Sequence, residues 1–242
     1  MLEATFWGFV GGAALLFGAV LGLRLPIGQR TIALIMAFGA GVLISALAFE
    51  LTQEAFRRGG TDAVAIGLAA GAIGFFVADA IVDRRGGEHR KRSGGEQSGG
   101  SAAAIVIGAL MDGIPESVAI GVTLLSGEGV GLAVVGAVFL SNVPESLSAA
   151  TGLRKAGHST RWILGLWLGV TAISAAAAGV GYGLLGGASA DVIGFIQAFA
   201  AGAILVMLAD TMMPEAFEHG GRVVGLLTVL GFALAFVLST LE

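Results

Sequence analysis

Apolar stretches about twenty residues long recur along the whole of this 242-residue chain, each long enough to cross a bilayer core of roughly 30 Å. A chain patterned in this way reads as an all-α polytopic membrane protein. Composition agrees: charged residues make up 12%, against about 25% in ordinary globular domains, and mean hydropathy is +0.91. The net charge of -4 comes without a basic patch or interleaved aromatics, so no nucleic-acid partner is expected. The absence of cysteine rules out disulfides, thiolate chemistry and cysteine-based metal sites. Met1-Leu2-Glu3 has no positive n-region, so the first apolar run is expected to be a retained helix.

Polar and Gly/Pro breaks divide the apolar runs into eight predicted spans, near 5–23, 31–56, 63–83, 102–125, 130–152, 162–186, 192–216 and 222–240. Leu25-Pro26-Ile27-Gly28 closes the first, and Arg57-Arg58-Gly59-Gly60 follows the second. The one long polar stretch, Arg84 to Ser101, is rich in charge, glycine and serine and predicts a flexible loop within a single integral-membrane domain over 1–242. Of 13 Lys and Arg, 11 fall in the loops after odd-numbered spans and only Arg57 and Arg58 on the other side. Positive charge marks the cytoplasmic face, so a multi-pass cell-membrane protein is expected, with both termini outside and the 84–101 loop inside.

The chain also repeats itself. Residues 39–60, GAGVLISALAFELTQEAFRRGG, align with 200–221, AAGAILVMLADTMMPEAFEHGG, with nine identities in 22 positions, including Glu-Ala-Phe and a terminal Gly-Gly. A shorter echo relates Asp112-Gly113-Ile114-Pro115-Glu116-Ser117 to Ser141-Asn142-Val143-Pro144-Glu145-Ser146. The loop charges make each matched pair cross in opposite directions. Three spans, a central pair and three more spans related by inversion is a pattern of secondary transporters, whose sites lie at interrupted helices near the midplane.

Acids inside the spans are the most informative residues. Glu50, Glu54, Asp79, Asp112, Glu116, Glu145, Asp210 and Glu215 fall within them, whereas every Lys and Arg falls in a loop or at a span end. A carboxylate in hydrocarbon costs several kcal/mol unless it is protonated, paired or facing water. Without a basic partner in the spans, the compensating charge is expected to be a proton or a metal cation. Asp112 lies roughly 15 Å into its span at 1.5 Å per residue, with Glu116 one turn on. Glu145 is comparably deep, beside Asn142 and Ser141. Pro115 and Pro144 withhold hydrogen bonds from the Met111 and Leu140 carbonyls, which leaves further oxygens for a hard cation.

Glu50 with Glu54 sit toward the outer end of the second span and Asp210 with Glu215 toward the inner end of the seventh, and each pair is a candidate for lining a route to the central acids. Solvation at a helix end, or pairing of Glu54 with Arg57 or Arg58, is the plain alternative. Asp79 and Asp83 read as structural partners of Arg84 and Arg85, His89 as a solvated loop residue, and His219 as a candidate exit ligand near Glu215. Spacings such as Gly8/Gly12, Gly18/Gly22, Gly67/Gly71, Gly165/Gly169 and Gly179/Gly183 permit close helix packing, either within one protomer or in a homodimer.

On these motifs the chain resembles the ZIP family of divalent-metal permeases over essentially its whole length. The family's fourth and fifth helices carry His-Asn-x-Pro-Glu-Gly and a related His-acid-x-Pro-Glu-Gly; Pro115-Glu116 and Pro144-Glu145 match them. The resemblance implies metal ligation by Glu116 and Glu145, with Asp112 standing where the family has histidine and Asn142 where it has an acid. Gly113 and Ser141 replace an Asn and a His, and the sixth span has no acid, which counts against a second metal site. The core is thus all oxygen, a set that suits Mn²⁺, Mg²⁺ or Ca²⁺ and accepts Fe²⁺ and Zn²⁺; zinc is the family's default.

The expected function is import of a divalent metal by alternating access, with Zn²⁺ or another dication as substrate, no prosthetic group and no enzymatic activity. Two other readings compete: a proton-coupled transporter of an organic cation using the same acids, and an intramembrane metalloenzyme, for which HExxH, a serine–histidine pairing and paired metal-binding Asp motifs are all missing.

Overall fold

A computed structural model describes residues 1–95, 101–126 and 129–240. Among these residues every regular element is a helix, with no strand. The α-helices are α1 (Leu2–Arg24), α2 (Gln29–Ala46), α3 (Gln53–Val82), α4 (Ala102–Thr123), α5 (Leu132–Lys155), α6 (Thr160–Leu185), α7 (Ala190–Met207), α8 (Met213–Gly220) and α9 (Val223–Ser239). Among the described residues six helical runs are long and apolar enough to cross a membrane, and α9 is a shorter apolar helix. Large apolar side chains face outward, Leu226 at 72% and Leu184 at 78% exposure among them, as a lipid-facing surface requires. The chain is a multi-pass helical membrane protein.

One run, Gln29–Gly87, is 59 residues long. Straight, it would span roughly 90 Å at 1.5 Å per residue, about three bilayer cores. Gly60 breaks it, with φ 68° and ψ -168°, and Gly221 turns the chain between α8 and α9 with φ 65° and ψ -152°. Both conformations need a residue without a Cβ. Gly60 and Gly221 are the last residues of the two aligned segments, 39–60 and 200–221. The same alignment superposes two π-helical turns, Leu47–Thr52 joining α2 to α3 and Leu208–Met212 joining α7 to α8. These turns carry Glu50 and Asp210.

Packing follows the same correspondence: α2 packs on α9 as α7 packs on α3, and α1 on α5 as α6 on α4. Small residues set these distances. A Cβ on Gly18 of α1 would lie 2.2 Å from the Val143 carbonyl oxygen of α5, and one on Gly71 of α3 would lie 2.0 Å from that of Phe199 in α7. Gly8, Gly12, Gly22 and Gly67 likewise serve contacts within the protomer, whereas Gly165 and Gly169 face open space. The helices so packed enclose α4 and α5, whose inward faces carry the central acids.

Candidate functional site

Asp112 and Glu116 from α4, and Ser141, Asn142 and Glu145 from α5, are each 3% exposed or less. Both helices continue through their prolines. In each, the serine after the Pro-Glu pair bonds back onto the motif: Ser117 Oγ donates to the Gly113 carbonyl at 2.7 Å, and Ser146 Oγ to that of Asn142 at 2.8 Å. Asn142 Nδ2 donates to the Gly11 carbonyl of α1 at 3.1 Å, which tethers α5 to α1. Ser141 Oγ donates within its own helix, to the Val138 carbonyl at 3.0 Å.

The central acids are not without basic partners, contrary to the expectation from the spans. Arg90, 3% exposed, meets Asp112 with two contacts, Nε to Oδ2 at 3.0 Å and Nη2 to Oδ1 at 3.1 Å. Its Nη2 also donates to Asp79 Oδ1 at 2.5 Å, and its Nη1 lies 3.4 Å from Asp83 Oδ1. Burial by itself would depress the Arg90 pKa; the carboxylates of Asp112 and Asp79 outweigh it and hold the guanidinium above its usual range. Lys91, 5% exposed, places Nζ 3.1 Å from Glu145 Oε2 and 3.3 Å from Asp112 Oδ2. Both are ion-pair contacts, and Lys91 Nζ bridges the two carboxylates.

The segment expected as a solvated loop thus sends Gly87, Arg90, Lys91 and Ser93 into the bundle; its residues 96–100 lie outside those described. The expectation failed because a basic residue's place in a polar stretch of sequence does not say where that stretch folds. Asp79 and Asp83 accordingly pair with Arg90, and no ion pair to Arg84 or Arg85 is formed among the described residues. Glu116 differs from its neighbours. Its Oε1 is buried with no hydrogen-bond partner, and no described basic group comes within ion-pair distance.

Glu215, in the first turn of α8, is 1% exposed and so is not a solvated helix-end group. It accepts from Ser93 N at 3.0 Å and Ser93 Oγ at 2.7 Å, and Arg92 Nη1 stands 3.2 Å away. Arg92 also pairs with Glu218. Glu215, Glu218 and His219 bring potential ligand atoms within 4.8 Å of one another. Asp210 lines a cavity of about 360 Å³ with Asp79, Asp83, His89 and Arg92. At the other end of the bundle, Glu50 and Glu54 line a cavity of about 500 Å³ with Gln53 and the buried Gln197. Glu54 is paired there with Arg58 at 2.7 Å and Arg57 at 3.7 Å. Beside Asp112, Glu145 and Trp167 the remaining space is about 10 Å³, close to the minimum that holds one water.

The sequence reading missed Arg90, Lys91, Arg92, Ser93 and Ser148, the last 3.4 Å from Glu215. A signal was present: the spans hold an excess of acids, and His89-Arg90-Lys91-Arg92 is the densest basic run in the chain.

Fold and site together define a multi-pass helical membrane protein with ionisable groups gathered in its interior. No family model matches the chain. It is 26% identical over 183 residues to a protein of Arabidopsis thaliana described as "Putative zinc transporter". The match covers 74% of this chain and 29% of that relative, so the chain spans less than a third of the plant protein's length.

Proposed function

We propose that this protein is a divalent-metal transporter of the ZIP type, with zinc as its first-choice substrate and import as its direction. The observation that carries this reading is the burial of Asp112, Glu116 and Glu145 on the two Pro-Glu motifs, with a Glu116 oxygen left unpartnered. An acid held in this way in an apolar bundle requires a proton or a cation. The similarity to a protein named as a zinc transporter supports metal over other cargo. The shared π-turns and positive-φ glycines support reading Gln29–Gly87 as two crossings, which yields eight spans in a three-two-three inverted arrangement. The cavity at Glu50 and the cavity at Asp210 then serve as outer and inner approaches to one central site, opened in turn by alternating access.

Uptake into proteoliposomes, with Zn²⁺, Mn²⁺ and Fe²⁺ competed against one another, tests the reading. Glu116→Gln and Glu145→Gln keep side-chain size but remove charge, and are expected to abolish most uptake and metal-induced thermal stabilisation. Parent-like transport in Glu116→Gln would refute the placement of the site. A second reading, proton-coupled transport of an organic cation, draws on one observation: the same acids already hold a guanidinium and an ammonium. Stabilisation by guanidinium or alkylammonium ions and not by any dication would favour it.

A further inference from the structure

Three consecutive basic side chains reach the buried acids, Arg90 and Lys91 sharing Asp112 and Arg92 meeting a separate pair. Arg90 takes Asp112, Asp79 and Asp83; Lys91 takes Asp112 and Glu145; Arg92 takes Glu215 and Glu218. Arg90 and Lys91 together bring two positive charges to the central acids, the formal charge of one divalent cation. Lys91 Nζ stands between the Asp112 and Glu145 carboxylates. A Zn²⁺ bonded to oxygens of both at about 2.0–2.2 Å would need that same position.

We propose that Arg90-Lys91-Arg92 is a tethered counter-ion plug: it neutralises and closes the transport site when metal is absent, and must leave before metal binds there. This rests on the reading of Asp112, Glu116 and Glu145 as a metal site and assigns its regulation.

The fold makes room for the plug and makes it releasable. Gly108, one turn before Asp112 on α4, lies under Arg90; a Cβ there would be 2.3 Å from Arg90 Cδ and 2.8 Å from its Nε. Lys91 is clasped through its carbonyl, which accepts from Ser148 Oγ at 2.6 Å, and Ser93 through its carbonyl, which accepts from Lys155 Nζ at 2.8 Å. The segment Glu88–Gly95 contains no apolar side chain. It offers no apolar side chain of its own to the bundle, and the central carboxylates that hold Arg90 and Lys91 are those a dication would satisfy instead. Gly86 at φ 93° and Gly95 at φ 104° flank it, two left-handed positions able to absorb backbone rotation as the run swings out.

The occluded fraction weakens metal binding by the reciprocal of the open fraction. If the plug is seated ten times out of eleven, its removal tightens apparent affinity about tenfold. The experiment uses the purified full chain and Zn²⁺ or Mn²⁺ as probe. Hydrogen–deuterium exchange is followed over peptides covering 88–95, where the Ser93 amide reports seating through its bond to Glu215. Apparent metal affinity is measured for the parent, for Arg90→Gln/Lys91→Gln, and for Gly108→Val, which crowds Arg90 without altering any charge.

Faster exchange over 88–95 with metal, together with roughly tenfold tighter binding in both variants, is the expected result. Metal binding to the parent with unchanged exchange, or with affinities in both variants equal to or weaker than the parent's, overturns the plug and leaves the transport reading standing. Should Arg90→Gln/Lys91→Gln fail to fold, Gly108→Val and the parent's exchange decide the matter. No metal binding by parent or variants overturns the transport reading and the plug with it.

Discussion

Arg90→Met tests whether the buried charge cluster is held together as described. The guanidinium compensates two carboxylates, Asp112 at 2% and Asp79 at 10% side-chain exposure. Methionine keeps most of the apolar stem and removes the charge, so both acids lose their closest partner. Removing one member of a buried ion pair costs about 3–5 kcal/mol. The cost has a ceiling, because the stranded carboxylate can take a proton. For an aspartate of ordinary affinity that takes about 4 kcal/mol at pH 7 and about 1.5 kcal/mol at pH 5, at about 1.36 kcal/mol per pH unit. Lys91 at 3.3 Å still compensates part of the Asp112 charge. The expected loss of stability is therefore about 3 kcal/mol at pH 7 without metal, at the lower end of that range. Its pH dependence has a definite sign. Protonation of the stranded carboxylate costs less than the lost pairing only toward pH 5, so the deficit narrows to about 1.5 kcal/mol there and levels off at about 3 kcal/mol from pH 7 upward. Denaturant unfolding in micelles measures it, with Trp167, buried in the same cavity as Arg90 and Asp112, as fluorescent reporter. Adding Asp112→Asn to Arg90→Met should restore part of the loss, with a coupling energy of about 1–3 kcal/mol. A deficit that does not change with pH, or a double variant no more stable than Arg90→Met, would refute the reasoning.

Asp112→His removes one negative charge and adds a nitrogen donor, so the ratio of Zn²⁺ to Mn²⁺ uptake should rise even if both rates fall; paired competition in proteoliposomes reads it, and an unchanged ratio removes Asp112 as a selectivity ligand. Gly18→Val places a side chain against the Val143 carbonyl at the α1–α5 contact, and overpacking of this kind costs about 1–3 kcal/mol or more; reduced thermal stability with unaltered metal selectivity is the expected outcome. Arg85→Cys, at an exposed position in a chain without native cysteine, should react with an impermeant thiol reagent only after cells are permeabilised. Labelling in intact cells would reverse the proposed orientation.

Much about this molecule was legible before any tertiary contact was known. Apolar run length dictates a bilayer-spanning helical chain, because the spacing of polar breaks is a local property of sequence. The internal repeat was legible too, and it pointed to pairs of positions, Gly60 with Gly221 and the π-turns at Glu50 and Asp210, that take matching backbone conformations. Asp112, Glu116 and Glu145 stood out because carboxylates in hydrocarbon are costly wherever the chain folds. The destination of Arg90, Lys91 and Arg92 was not legible. Read locally, Glu88–Gly95 is a polar stretch with nothing to bury. Its burial depends on acids at positions 79, 112, 145 and 215, contributed by α3, α4, α5 and α8 and gathered only when those helices pack. Periodicity and composition report what a segment prefers in isolation, whereas the partner of a charge is set by long-range assembly. Tertiary structure alone decided that the acids and the loop's bases share one interior.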